Sequence, residues 1–240
     1  MKDSKIKFIL DVDGTLTPSR GKMNKEFAVW FSKFCDMNDV YLVTGSDRPK
    51  TIEQVGQYIY CACKRVYNCS GNDVYQCDHN IRSSKWILPE DAHEWLSKIL
   101  TQSQFSLRTS LHFEHRPGMV NFSVVGRNAN TEQRKMYVDW DTSQNERNEI
   151  AKEFNYMFPD LEARPGGETG IDIAPKGADK SQILADFDAD DFIVFFGDRM
   201  DEDGNDYPLA NANKQGKNHH VKNWKWTWEI LRDEYFTNRK

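Results

Sequence analysis

Two apolar runs that each stop on a carboxylate constrain this 240-residue chain more than any other feature. Ile6, Phe8, Ile9 and Leu10 read as a short buried strand, and Asp11, Asp13, Gly14 and Thr15 follow where it would end. Phe192-Ile-Val-Phe-Phe196, the most hydrophobic run in the chain, reads as a central strand and delivers Gly197 and Asp198. Open α/β sheets bind ligands outside the carboxyl ends of their strands, so both sets of acids fall where such a sheet places its chemistry. A divalent cation would offset the repulsion between the carboxylates. The alternative is that Asp-Val-Asp-Gly is a solvated turn.

The stretch after the first run supplies a second strand end. Asn24 caps an expected helix whose Phe27, Trp30, Phe31 and Phe34 recur at helical spacing, and Val40–Val43 is the next strand. It leads into Thr44, Gly45 and Ser46. A hydroxyl and bare backbone N–H groups at that place suit a phosphate, although either hydroxyl would equally cap the expected helix through Ile52, Val55 and Ile59. Arg65–Tyr67, the turn Asn68–Asp73 and Val74-Tyr75 close a first core segment at about residue 78.

From 79 to 175 the pattern changes. A helix carrying Ala92, Trp95, Leu96, Ile99 and Leu100 precedes two extended segments, 105–116 and 119–125, around Pro117-Gly118. Ser143 and Glu146 read as a capping box for a helix with Ile150, Phe154 and Met157, and Leu161–Arg164 and Ile171–Ala174 read as strands. Helices mixed with antiparallel strands between the halves of a βαβ core predict an inserted α+β cap, with the core in 1–78 and 176–240. Lys180 opens an expected helix through Ile183, Leu184 and Phe187. A cation in a helix's first turn opposes the dipole unless an anion meets it there. Asp201, Glu202 and Asp203 are expected as solvated loop acids. Trp224, Trp228, Leu231 and Tyr235 share a face of a C-terminal helix and are expected to pack on the core.

A formal net charge of −5 and a pI near 5.7 argue against nucleic acid as the main partner. No apolar run has the length of a membrane span, and no signal-peptide core precedes the first strand, which predicts a soluble cytoplasmic protein. Five cysteines, an odd number, fit free thiols in a reducing compartment. Cys61, Cys63, Cys69 and Cys77 raise a zinc site, but their spacing lacks paired C-x₂-C knuckles, so unpaired thiols are preferred.

Asp11-Val-Asp-Gly-Thr-Leu-Thr17, Thr44-Gly45-Ser46, Lys180 and Gly197-Asp198 with Gly204-Asn-Asp206 resemble, in order, the four motifs of the haloacid dehalogenase-type phosphotransferases. Glu114-His-Arg-Pro-Gly-Met-Val-Asn121, Val125-Gly-Arg127, Glu132-Gln-Arg134 and Gly166-Gly-Glu-Thr-Gly-Ile-Asp172 are similar to the cap of eukaryotic-type phosphomannomutases. The resemblance implies an α/β fold, a Rossmann-like core with a parallel sheet plus a C2-type α+β cap. It implies that Asp11 is phosphorylated, that Asp13 is the acid/base, and that Thr44, Gly45, Ser46 and Lys180 hold the phosphoryl group. A Mg²⁺ site would draw on Asp11, the Asp13 carbonyl, Asp198 and Asp206. Arg20, Arg116, Arg127, Arg134, Gly170 and Asp172 would bind a hexose phosphate, mannose 6-phosphate going to mannose 1-phosphate. A hexose bisphosphate activator and a homodimer through the cap belong to the same expectation. Gly170 stands where the family has Ser, and Pro117, Ala210, Ala212 and the turn Asn68-Cys-Ser-Gly also depart from it. A sugar-phosphate phosphatase with the same residues is the rival reading, and a silent sugar-phosphate-binding protein the third.

Overall fold

In the computed structural model, which describes residues 6–202 and 204–236, the two apolar runs lie side by side. Ile6–Leu10 forms β1 and pairs in parallel with Phe192–Gly197, Leu10 opposite Phe196. Asn24 caps α1 (Lys25–Met37), its side chain accepting from the backbone N–H groups of Glu26 and Phe27 at 3.0 and 3.1 Å. Such a cap contributes about 1 kcal/mol. The strand β2 (Asp39–Val43) lies on the other side of β1, again parallel. The helix expected through Ile52 and Ile59 is broken at Gly56, whose φ of 83° ends α2 (Arg48–Val55) and starts α3 (Gln57–Ala62). Asp47, not Thr44 or Ser46, caps α2 by accepting from Lys50 N. Next come β3 (Arg65–Asn68), β4 (Asp73–Gln76) and β5 (His79–Ser83), the last two forming an antiparallel hairpin on the sheet's edge. Because β5 belongs to this sheet, the core segment reaches Ser83 rather than 78.

The chain divides into two units, one running to Ser83 and resuming at Ala178, the other Ser84–Gly177. The second holds α4 (Glu90–Gln102), β6 (Phe113–Arg116), β7 (Met119–Phe122), α5 (Thr131–Gln144), α6 (Glu146–Met157), β8 (Leu161–Gly166) and β9 (Gly170–Pro175). Its four strands form an antiparallel sheet in the order β6, β7, β9, β8. The strands around Pro117-Gly118 are shorter than the extended segments expected. The capping box sits at Asn130 and Gln133, ahead of α5, a helix the sequence reading missed; Ser143 lies inside α5, and α6 starts after a left-handed Asn145. Val120, Phe122, Ile171, Ile173 and Ala163 share a buried cluster with Ala92, Leu96, Tyr137, Ile150 and Phe154 from the helices. Side chains alternate along a strand, so the other sheet face carries the residues in between.

The first unit resumes with a 3₁₀ turn, Lys180–Asp186, in place of the expected α-helix. It continues as β10 (Phe192–Gly197), α7 (Tyr207–Ala212), β11 (Lys217–His220) and α8 (Trp224–Ile230). The seven strands run β11, β10, β1, β2, β3, β4, β5. Trp224 and Trp228 stack against Phe27 of α1 at 6.0 and 5.3 Å between ring centroids, which fastens the C-terminal helix to the sheet's covering layer. Aromatic pairs of this kind add about 0.5–1.5 kcal/mol each beyond the area they bury. Among the described residues no helix is long and apolar enough to cross a membrane.

The cysteine expectation fails at two positions. Cys61, in α3, and Cys77, in the β4–β5 turn, are joined by a disulfide across Cα atoms 4.1 Å apart. Connectivity is a tertiary property that spacing along the chain does not reveal. Cys35, Cys63 and Cys69 are buried thiols. Asp78 is the acidic residue close to the bonded pair, so the four cysteines do not gather as one zinc site among the described residues.

Candidate active site

The parallel pairing of β1 with β10 places the acids that follow each strand together. Asp11 N donates to Phe196 O at 2.9 Å, extending the ladder one residue past β1, and Asp198 follows Gly197 at the end of β10. Close packing of the carboxylates depends on two glycines. A Cβ on Gly14, whose φ is 76°, would collide with the Asp198 carboxylate, and one on Gly197 would lie 2.6 Å from Asp206 Oδ2. No side chain heavier than hydrogen fits at either place.

Lys180, 1 % exposed, reaches from its 3₁₀ turn to donate to Asp11 Oδ1 at 2.5 Å and to Asp206 Oδ1 at 2.7 Å. Asp206 Oδ2 accepts from Arg199 N. One oxygen each from Asp11, Asp198 and Asp206 lies within 4.8 Å of the others. Asp13, expected in the same metal set, has its side chain elsewhere: its Oδ1 accepts from Arg20 N at 2.6 Å and Gln54 Nε2 at 2.9 Å. Buried Gln54 was not foreseen, and neither was His220, whose Nε2 lies 3.0 Å from the Asp198 carbonyl and, as the donor, steadies the loop after β10. The exposed Arg20 follows Asp13 with a φ of 56°.

Thr44 is buried beyond β2, where its N–H donates to Tyr67 O and its Oγ1 accepts from Ser46 N at 3.1 Å. A Cβ on Gly45 would meet nothing within 4 Å, so the backbone there faces open space. The Thr44 hydroxyl thus shapes the loop while Gly45 leaves its face bare.

Charge decides what this cluster can hold. Burial alone would lower the Lys180 ammonium, but Asp11 and Asp206 outweigh it and hold the proton more tightly than usual. One ammonium does not balance three carboxylates. Burial pushes the Asp11 carboxyl well up in spite of Lys180, and burial together with Asp206 pushes Asp198 up to about 6. Three oxygen donors with surplus negative charge suit a hard divalent cation, so the residues present fit one.

The folded protein therefore binds a proton on Asp198 more tightly than the unfolded chain does. That contribution is complete below the ordinary carboxyl range near 4 and is lost as pH rises through about 6. Metal-free Asp198→Asn is expected to melt above the wild type at pH 7.5, with the difference shrinking as pH falls through about 6 and gone only below about pH 4. Calorimetric melts across that range measure it; a variant less stable at pH 7.5 would contradict the assignment.

In the second unit, Arg116 (through Nε and Nη2, 3.0 and 2.9 Å) and Arg127 (through Nε) all donate to Glu114. Burial opposes ionisation of Glu114, yet the two guanidiniums hold its carboxyl below the usual range. Asp172 Oδ1 accepts from Asn121 Nδ2 at 2.6 Å, and burial raises its carboxyl against the pull of Asn121, Arg116 and Arg127. Arg134, in the first turn of α5, donates through Nε and Nη2 to Glu168 of the β8–β9 turn, at 3.1 and 2.9 Å. Gly170 opens β9 beneath Asn121.

The family profile described as eukaryotic phosphomannomutase matches residues 28–237. The phosphomannomutase of Saccharomyces cerevisiae is 31% identical over 211 residues, covering 84% of this chain and 83% of the relative. That of Arabidopsis thaliana is 31% identical over 222 residues, covering 86% and 87%. Among solved structures, the C-terminal domain of C. albicans trehalose-6-phosphate phosphatase superimposes with a TM-score of 0.62 at 15% identity, over 95% of this chain and 92% of that one. The IMP-bound Plasmodium falciparum IMP-nucleotidase gives 0.60 at 15% identity, over 96% and 68%. These two speak for the fold, an α/β core built on a mostly parallel sheet; the sequence relatives and the profile speak for descent, and the chain belongs to the eukaryotic phosphomannomutase family.

Proposed function

We propose that this chain is a phosphomannomutase-type phosphotransferase that moves a phosphoryl group on hexose phosphates through Asp11, converting mannose 6-phosphate to mannose 1-phosphate. The observation that carries the reading is the buried Asp11 carboxylate, bonded to Lys180 beside two further carboxylates. An oxygen nucleophile must be unprotonated to attack phosphorus, and the Lys180 ammonium 2.5 Å away favours that form. Asp11, Asp198 and Asp206, with the Asp13 carbonyl, would hold Mg²⁺, which would neutralise charge on the transferring group. Asp13, oriented by Gln54, gives and takes the proton at the leaving oxygen, while Thr44, Gly45 and Ser46 receive the phosphoryl oxygens.

In the cap, Arg116 and Arg127 supply charge for a second phosphate, with Glu114 holding the guanidiniums in place until the dianion competes for them. Arg134 and Arg20 complete the reading as further phosphate contacts, and Asp172 as a contact to the sugar. Such a set suits a bisphosphorylated intermediate, hence activation by a hexose bisphosphate. A dianionic sugar does not diffuse across a bilayer, which favours a cytoplasmic location, and exposed apolar cap residues such as Tyr156 and Met157 favour a homodimer through the cap.

Product analysis on mannose 6-phosphate, with and without a hexose bisphosphate, tests this. Isomerised sugar in excess of free phosphate, increased by the bisphosphate, is the expected result. Rapid phosphate release without isomerisation would instead make the protein a sugar-phosphate phosphatase.

A further inference from the structure

Of the five cysteines, Cys35, Cys63 and Cys69 are buried thiols, while the joined pair, Cys61 and Cys77, is half-buried. A reagent in solution therefore meets that one sulfur pair. Cys77 lies in the turn between β4 and β5 with a φ of 52°, a left-handed backbone that a residue bearing a side chain adopts at a cost. Beyond its ladder with β4, β5 is exposed at every residue, so little apolar packing pins the turn. The bond to Cys61, near the end of α3, does so instead.

What the bond holds in place is the next residue, Asp78. Its Oδ1 accepts from Arg48 Nη2 at 2.6 Å and from Gln57 Nε2 at 3.1 Å. Arg48 opens α2, where a cation opposes the helix dipole unless an anion meets it. The guanidinium lies over the rings of Tyr60 and Tyr75, 5.5 and 4.7 Å from their centroids, and its Nε is buried with no hydrogen-bond partner. Asp78 is the carboxylate that offsets this placement. The helix that Arg48 opens starts two residues after Ser46 and carries Gln54, whose Nε2 donates to Asp13 Oδ1 at 2.9 Å. Contacts thus run from the sulfur pair through Asp78 and Arg48 to the helix that lies between the phosphate loop and the acid/base.

We propose that Cys61–Cys77 is a reversible modification site, a disulfide that exchanges with a small dithiol, and that its state sets the turnover of the enzyme through Asp78, Arg48 and α2. A thiolate of the dithiol attacks one sulfur of the pair, and the Cys61–Cys77 bond breaks as a mixed disulfide forms. The reagent's second thiol then releases the protein sulfur, so the reagent ends as its own disulfide and its two protons end on Cys61 and Cys77. Gln57 Nε2, 3.3 Å from Cys61 Sγ, is placed to stabilise a thiolate released there. With the bond open, the left-handed Cys77 relaxes, Asp78 leaves Arg48, and the first turn of α2 loosens. Disulfides in reducing compartments are usually transient and serve catalysis or sensing, which suits the cytoplasmic location favoured above. The effect on turnover rests on the proposed phosphotransferase reading, whereas the thiol exchange does not.

The test compares wild type and Asp78→Asn, each before and after dithiothreitol and again after reoxidation with oxidised glutathione. Titration of the native wild type with a thiol reagent should show the Cys61 and Cys77 thiols appearing on reduction while the three buried ones stay silent. On mannose 6-phosphate, kcat should fall about fivefold on reduction and recover on reoxidation. KM should stay within about twofold, because none of the cap residues assigned to the sugar belongs to this network. Hydrogen exchange of the α2 amides should quicken in the reduced protein while β1 and β10 stay protected. Asp78→Asn should have the lowered kcat from the start and lose no more on reduction. A native bond that resists dithiothreitol, a kcat equal in both states, or an Asp78→Asn protein that responds in full would overturn the proposal. A wild type that turns over no hexose phosphate in either state would sink the functional reading alone. The exchange measurement then decides: faster α2 exchange on reduction upholds the site, and unchanged exchange removes it.

Discussion

Asp11→Asn should yield a folded protein with no phosphoryl transfer, and without divalent cation it should melt above the wild type. The first half follows from the chemistry: an amide oxygen is not a nucleophile toward phosphorus, and removing a covalent nucleophile lowers kcat by on the order of 10⁴ or more. The second follows from the charge surplus around Lys180. Burial raises the Asp11 carboxyl well above its ordinary range, so the native state gains less than the unfolded chain from ionising it. Its contribution is favourable below the unfolded value of about 3.9 and disappears as pH rises through the folded one. Asn keeps an acceptor for Lys180 Nζ and leaves one ammonium facing two carboxylates instead of three. Thermal melts at pH 7.5 in chelator, beside the mannose phosphate assay, read both halves. Activity above about one per cent would mean that Asp11 is not the nucleophile, and a lower melting temperature that it is not the burdened carboxylate.

The opposite signs of those two effects explain why some of this site could be read from the sequence. A chain that puts acids directly after its most buried strands sacrifices stability there, and such local inconsistencies mark function. Asp11 and Asp198 were visible for that reason, and Lys180 because a cation at a presumed helix start needed an anion. The strands β1 and β10 and the Asn24 cap were legible because each depends on residues close in sequence.

What escaped depends on distance or on weak local pattern. Gln54 reaches Asp13 across 41 positions, and Asn121 reaches Asp172 across 51; neither contact has a signature along the chain. The strand β11 reads Lys-Asn-His-His and is held by parallel backbone pairing to β10, with no apolar alternation to announce it. The helix α5 buries only Tyr137, so its apolar stripe is too thin to show. The Cys61–Cys77 bond required knowing that α3 ends beside the β4–β5 turn. The arginine assignments rested on the family pattern, and the geometry separates them into Arg116 and Arg127 on Glu114 and Arg134 on Glu168.

Lys180→Met is expected to be the most damaging single change in the protein. Methionine matches the lysine stem in length and fills the same buried space, so packing survives and the loss isolates the charge. Asp11 and Asp206, both buried, would then face each other with no cation between them. Breaking a buried pair from one side costs about 3–5 kcal/mol, a large share of a domain's typical 5–15. Urea unfolding in chelator measures it. Because a divalent cation neutralises the same carboxylates, adding Mg²⁺ should restore part of the stability and none of the turnover, whereas a merely structural lysine would respond to neither. Combining Lys180→Met with Asp11→Asn closes a double-mutant cycle: with no ammonium left to attract the carboxylate, Asp11→Asn should stabilise the Lys180→Met background by more than it stabilises the wild type. An equal gain from Asp11→Asn in both backgrounds would mean that the ammonium and the carboxylate, 2.5 Å apart, do not sense each other, and the charge argument for this site would fall.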